Sequence, residues 1–265
     1  MTIHHLDCAT MCPRGGRALL GGDHLVGHCL LVEGPEGLVL VDTGFGTADV
    51  ADPKRLGPGL TVMSRPRLSL ARTALHQVRA LGHDPRDVRD IVLTHLDPDH
   101  AGGLSDFPWA RVHVFGEELA AAVVPRNRNE RQRYRTAQWA HGPKWVAHEP
   151  DGEHWYGFAA TRVLDAPEVL LVPLPGHTRG HSAVAVRSGD SWLLHCGDAY
   201  FHHGEADPAV GRAPLGLALF QRALAVDDAA RRHNQERLRA LRREHEREVT
   251  LFCAHDPAEL ARLAR

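Results

Sequence analysis

Apolar residues along the chain fall into short runs punctuated by glycine, proline and aspartate, and the runs have two periods. CLLVEGPEGLVLVDTG (29–44) sets two Leu/Val-rich arms around GPEG, which predicts strand, turn, strand. DIVLTH (90–95), RVHVF (111–115), EVLLVPLPG (168–176), SAVAVRSG (182–189), SWLLHCGD (191–198) and VTLFC (249–253) predict further strands. SAVAVRSG and SWLLHCGD form a hairpin over Ser188-Gly189-Asp190. Helical spacing appears in RLSLARTALHQVRALG (67–82), which stops at a glycine, and in GEELAAAVV, which stops near Pro125. It returns in a long stretch from about 215 to 248, with Arg and Glu on one side, and in the terminal PAELARLAR. Strand-then-helix alternation in both halves, with no internal repeat, predicts an α/β fold.

Composition narrows the class. The 265 residues suffice for one large domain or two small ones, and 43% apolar with 24% charged residues is ordinary for a soluble globular protein. A net charge of −2 supplies no global field, so neither nucleic acid nor anionic lipid is an expected partner. No apolar run approaches the roughly 18 residues of a membrane span. The cysteines Cys8, Cys12, Cys29, Cys196 and Cys253 are odd in number and scattered, and the opening MTIHHLDC lacks a basic-then-apolar leader pattern. A cytoplasmic location with unpaired thiols is the expectation. Cys8 and Cys12 leave open a redox pair or metal site against the plainer reading of buried or loop thiols. From 126 to 157 the chain is arginine-rich, and Tyr134, Trp139, Trp145, Trp155 and Tyr156 are five of its eight Trp and Tyr residues. The segment reads either as a solvated helix face or as a substrate-capping insert.

The 20 histidines make any single one uninformative, so the candidate chemistry lies in spacing. Five strand-like runs each end in a turn carrying a ligand-competent side chain. They are Asp42-Thr43-Gly44, HLDPDH (95–100), Gly176-His177-Thr178, Gly197-Asp198 and Ala254-His255-Asp256. Strand ends along one sheet edge can converge on one site.

This ordered set resembles the metallo-β-lactamase superfamily. The family's His-x-His-x-Asp-His motif, followed by later His, Asp and His residues, corresponds here to His95, Asp97, Asp99, His100, His177, Asp198 and His255. The flanks VDTG (41–44), THLDPDHAGG (94–103), PGHTRGHS (175–182) and GDA (197–199) match as well, and the likeness runs from about 25 to 257. PGHTxGH with VDTG and GD is most similar to the lactonase and glyoxalase branches. The resemblance implies an αββα sandwich and a dinuclear site at one sheet edge; the chain is read as a single domain over 1–265, with the segment at about 126–157 as a candidate helical, substrate-capping insert. It implies that His95, Asp97 and His177 hold one metal and Asp99, His100 and His255 the other, with Asp198 bridging. The implied activity is a dinuclear metal-dependent hydrolase whose metal-bridging hydroxide attacks a lactone or other carboxylic ester, a small-molecule substrate. Asp99 relays a proton to the leaving oxygen in that scheme. Two cations about 3.5–4 Å apart clamp one oxygen and lower the pKa of bound water towards roughly 7.

Asp97 departs from the family motif, which has histidine there. A carboxylate is a harder, anionic ligand and favours iron or manganese relative to an all-imidazole set. Two divalent cations are therefore expected, zinc first, with iron or manganese as alternatives. Flavodiiron proteins of the same superfamily carry a glutamate at this position, so a non-haem iron enzyme acting on oxygen or nitric oxide is the second reading. Thioesters and phosphodiesters stay open, the latter favoured if the arginines of 126–135 line the site. A third reading is a non-enzymatic module docking through the arginine-rich 231–247 helix. Asp42 is expected to accept from a ligand histidine, with a plain turn residue as the alternative. His181 is expected to support the loop. Tyr200, by its position after Asp198, is expected to face substrate and hold the oxyanion, although the family spacing is one residue longer. His202 and His203 are either pocket-lining or solvated, Cys196 and Cys253 are expected to be buried thiols, and the helical 215–248 stretch suggests a homodimer contact.

Overall fold

In the computed structural model, which describes residues 1–16 and 20–264, the strand-forming runs pair into two six-stranded sheets. The first runs β1 (Ile3–Met11), β2 (Leu25–Gly34), β3 (Gly37–Val41), β4 (Val88–Val92), β5 (Arg111–Phe115) and β6 (Lys144–His148) in that order. It is antiparallel through β3 and parallel from β3 to β6. The second runs β12 (Val249–Phe252), β11 (Ser191–His195), β10 (Ser182–Ser188), β9 (Glu168–Pro173), β8 (Phe158–Asp165) and β7 (Glu153–Trp155). Only the β11–β12 pair in it is parallel.

The near-continuous apolar strands are explained by burial on both faces. Leu30, Val32, Val39, Val41 and Val92 point inward and meet Leu171, Val184, Val186 and Phe252 of the other sheet. Their sequence neighbours Leu31, Leu40 and Ile91 point outward and pack with Ala74, Val78 and Ala121 of the covering helices Ala74–Ala80 and Gly116–Val123. Leu238 and Leu241 of the helix Asp228–His245 cover the outer face of the second sheet. The layers are therefore helix, sheet, sheet, helix, as the sequence resemblance implied.

Two helix expectations change. The helix expected over 67–82 is confined to Ala74–Ala80, because the Thr73 side chain accepts from the His76 N–H and caps it there. The stretch expected over 215–248 is two helices, Leu215–Leu224 and Asp228–His245. The break is used: the Val226 and Asp227 N–H groups donate to the carbonyls of His177 and Gly176, at 3.1 and 2.9 Å. Asp227 then caps the second helix by accepting from Ala230 N–H at 3.0 Å.

The 126–157 segment combines helical and strand elements. Its second half supplies the edge strands β6 and β7. Its aromatics pack inward: Tyr134, Trp139 and Trp145 against the first core, and Trp155 and Tyr156 against the second. Of this segment, the helix Arg128–Arg133 lines a cavity, through Asn129, Gln132 and Arg133.

Candidate metal centre

Five strands of the two sheets end at one rim, and the turns beyond them carry the polar side chains. After β3, Asp42 adopts a positive φ of 55°, a conformation that non-glycine residues keep only where surrounding contacts enforce it. Those contacts are explicit. Asp42 Oδ1 accepts from Thr94 N–H at 2.8 Å, and Oδ2 accepts from Thr94 Oγ1 and from His100 Nδ1, each at 2.8 Å. After β4 the chain turns at His95 and enters the short helix Pro98–Ala101, with Asp97 just before it and Pro98 at its first position. Asp99 and His100 are thereby set in one turn. After β11, Gly197 has φ of 51°, and a Cβ there would sit 2.6 Å from His181 Nε2, so the turn to Asp198 requires glycine.

The side chains form two groups sharing a carboxylate. His95, Asp97, His177 and Asp198 each offer a ligand atom within 4.8 Å of the others, and so do Asp99, His100 and His255. Asp198 Oδ2 lies 3.2 Å from His177 Nε2 and 3.9 Å from His95 Nε2, while Oδ1 lies 3.2 Å from His100 Nε2 and 3.0 Å from His255 Nε2. One oxygen of Asp198 thus faces each group. Asp97 Oδ2 meets His177 Nε2 at 3.0 Å and His95 Nε2 at 3.3 Å. Asp99 Oδ2 stands 3.8 Å from His100 Nε2 and 3.7 Å from His255 Nε2.

Surrounding groups fix which nitrogen points inward. His100 donates from Nδ1 to Asp42, and His255 from Nδ1 to the Val26 carbonyl at 2.8 Å, leaving both Nε2 lone pairs aimed at the centre. His181 donates from Nδ1 to the Leu174 carbonyl at 3.0 Å, and its Nε2 accepts from the Asp198 N–H at 2.9 Å. His181 therefore positions Asp198 and is not free to ligate, as expected.

The buried Nε2 atoms of His95 and His100, with Oδ1 of Asp97 and of Asp198, have no hydrogen-bond partner. Lone pairs of imidazole and carboxylate facing one another inside the protein are unfavourable unless a cation stands among them. Four imidazoles and three carboxylates in this arrangement fit two divalent cations. Proton affinities report the same charges. Burial lowers the His100 imidazole, but Asp198, Asp42 and Asp99 outweigh it and hold the group well above its usual range. His255 is raised by Asp198 against the same burial penalty. Burial, then the Arg133 guanidinium, takes His177 down to about 4. Burial pushes Asp42 upward, but His100 more than reverses this and holds it at about 2.

Two buried carboxylates that sequence reasoning missed tie the ligand loops together. Glu118 accepts from Leu96 N–H at 2.9 Å, Tyr134 OH at 3.1 Å, Thr178 Oγ1 at 2.7 Å and Gly180 N–H at 3.2 Å. It joins the His95–His100 turn to the His177–His181 turn. Glu130 accepts from Arg179 Nε at 2.8 Å and Nη2 at 3.2 Å and clamps the helix Arg128–Arg133 onto the same loop. In sequence, Glu118 is one more polar position of a helix, and Glu130 one charge in a run of them. Neither carries a local signal.

Above the ligands lies a cavity of about 210 Å³. Asp97, Asp99, His177, Asp198 and His255 form its floor; its walls are mostly apolar, with Leu25, Leu60, Met63, Phe201, Phe220 and Leu224 among them. Tyr200 is a correction. The turn at Gly197 sends it into the second core, where it is fully buried and donates to Glu259 at 3.1 Å. It does not reach the cavity, and Phe201 lines the wall instead. His202 and His203 also lie outside the lining; His203 Nδ1 pairs with Asp256 Oδ2 at 2.7 Å. Cys196 and Cys253 are free, buried thiols, as expected, and Cys8 is buried while Cys12 is half-buried.

The sequence profile described as the metallo-beta-lactamase superfamily matches residues 22–255. The chain is 49% identical over 265 residues to a probable metallo-hydrolase of Mycobacterium tuberculosis, a match covering 99% of this chain and 82% of that one. It is 28% identical over 179 residues to the N-acyl homoserine lactonase AttM of Rhizobium johnstonii, covering 64% of each. Among solved structures, a B. thuringiensis AiiA mutant with N-decanoyl-L-homoserine at its active site superposes with a TM-score of 0.73 at 20% identity, covering 98% of this chain and 95% of that one.

Proposed function

The chain belongs to the metallo-beta-lactamase superfamily and is a metal-dependent hydrolase, and on that premise we propose that it opens a lactone or another carboxylic ester at a dinuclear centre. His95, Asp97 and His177 would hold one cation and Asp99, His100 and His255 the other, with Asp198 between them; zinc is the first choice. The observation that carries this reading is Asp198, whose two oxygens each address a different ligand group. When bound, two divalent cations supply hydroxide at neutral pH and Lewis acidity towards a carbonyl oxygen.

The chain's own residues do the rest. The apolar walls from Leu25, Leu60, Met63 and Phe220 hold a hydrocarbon group and exclude water from the floor. Asp99, which lines the cavity, would pass a proton to the leaving oxygen. Glu118 and His181 keep the ligand turns at fixed spacing. An N-acyl lactone suits a mostly apolar cavity and is the class named for the lactonase relatives. A phosphodiester suits it less, because among the described residues at 126–135 Arg133 is the one arginine on the cavity wall, and it already contacts Asp97.

The test is turnover of N-acyl homoserine lactones, nitrophenyl esters and bis-nitrophenyl phosphate by the zinc-loaded protein and by Asp198→Ala. Lactone or ester hydrolysis that falls roughly a thousandfold in the variant, about 4 kcal/mol, is the expected result. Preferred phosphodiester cleavage, or undiminished turnover by Asp198→Ala, would overturn the proposal.

A further inference from the structure

Asp97 is the ligand-ring carboxylate that a fixed cation of the protein touches. Arg133 Nη1 lies 3.4 Å from Asp97 Oδ2, the oxygen that also meets His95 and His177. The guanidinium cannot swing away. Nη1 donates to the His177 carbonyl at 2.9 Å and Nη2 to the Leu224 carbonyl, and the helix that Arg133 ends is clamped through Glu130 to Arg179. Its side chain is only 8% exposed. A guanidinium so buried needs a counter-charge, and two carbonyl dipoles do not supply one.

We propose that Asp97 and Arg133 act as one charge-neutral ligand unit. Asp97 gives an oxygen donor to the cation shared with His95 and His177, and Arg133 cancels most of its charge. The position then presents roughly the net charge of the neutral imidazoles around it. The inference rests on the dinuclear reading above. Three of the ligand groups, Asp97, Asp99 and Asp198, are carboxylates, and Arg133 offsets one negative charge among them. Arg133 is in this sense a positioning residue that acts through Asp97, and its charge is the property that matters.

Opposite signs follow for the two partners. Neutralising Arg133 frees the full carboxylate charge, and cations bind more tightly. Replacing Asp97 by histidine leaves a buried guanidinium facing the cation, and cations bind less tightly. Removing both charges together returns the balance. A purely structural role for either residue makes every variant weaker and the double variant weakest.

The experiment measures zinc affinity by competition with a chromophoric chelator for the wild type, Arg133→Gln, Arg133→Lys, Asp97→His and the double variant Asp97→His/Arg133→Gln. Glutamine keeps an N–H donor without the charge, and lysine keeps the charge without the fork. Arg133→Gln should bind zinc about tenfold more tightly, and Asp97→His about tenfold or more weakly. The double variant and Arg133→Lys should lie within about threefold of wild type. Zinc binding weakened by Arg133→Gln, or a double variant weaker than Asp97→His, overturns the proposal and makes Arg133 a tether of the His177 loop. If Asp97→His does not fold, the sign for Arg133→Gln against Arg133→Lys decides alone. Fewer than two zinc ions on the wild type would instead refute the dinuclear reading, and two ions with unchanged affinities in all variants would refute this inference alone.

Discussion

At His100 one ring links the candidate ligand ring to its support: Nδ1 donates to Asp42 while Nε2 faces Asp198. Both partners were legible in the sequence, because their residue types and order carry the chemistry whatever the exact backbone path. Tyr200 was not. Whether the second residue past Asp198 faces cavity or core depends on the Gly197 turn, which no side-chain pattern encodes. Tyr200→Phe should therefore leave kcat/KM within about threefold and cost about 1 kcal/mol of stability, the hydrogen bond to Glu259. A tenfold loss of kcat/KM with intact zinc content would restore a substrate role. Glu259 itself gives a pH signature. Burial takes its carboxyl from the usual 4.5 up to about 7. Below pH 4.5 the group is protonated both folded and unfolded. Between 4.5 and 7 the unfolded chain ionises first, so stability falls as pH rises, by about 3 kcal/mol in total. Unfolding free energies for wild type and Glu259→Gln should converge towards low pH and separate by roughly that amount at pH 7, the variant being the more stable. Parallel profiles would contradict the burial argument.

At the scale of elements, strands buried along most of their length were readable, the edge strand β12 among them, and half-buried strands were not. The cores of β2–β5 and β9–β12 are runs buried on both faces, whereas β1, β6, β7 and β8 mix histidine, lysine, arginine and aspartate with half-buried positions. Helical periodicity located the 215–248 region but missed its break, because the break is held by backbone donors reaching the His177 loop rather than by a glycine or proline. The same loop is held from the other side by Glu118. Glu118→Leu would leave four donors from three segments unsatisfied at little change in volume. Urea unfolding should show a loss of about 3–5 kcal/mol. A loss under 1 kcal/mol would mean that Glu118 does not hold the two ligand turns together.

For the whole molecule, two sheets back to back bring five strand ends to one rim, and this long-range convergence turns dispersed residues into one site. The sequence order carried the seven candidate ligands across about 160 residues. It could not carry the contacts of Arg133 with Asp97, Arg179 with Glu130, or Glu118 with the two ligand turns, because each depends on how separate segments pack. No helix among the described residues is long and apolar enough to cross a membrane. The central claim, that Asp198 joins two cation sites into one centre, is tested most directly by elemental analysis of wild type and Asp198→Ala after stoichiometric loading and gel filtration. The account predicts two divalent ions per wild-type chain and at most one in the variant. One ion or none in the wild type, or two retained by Asp198→Ala, would contradict it.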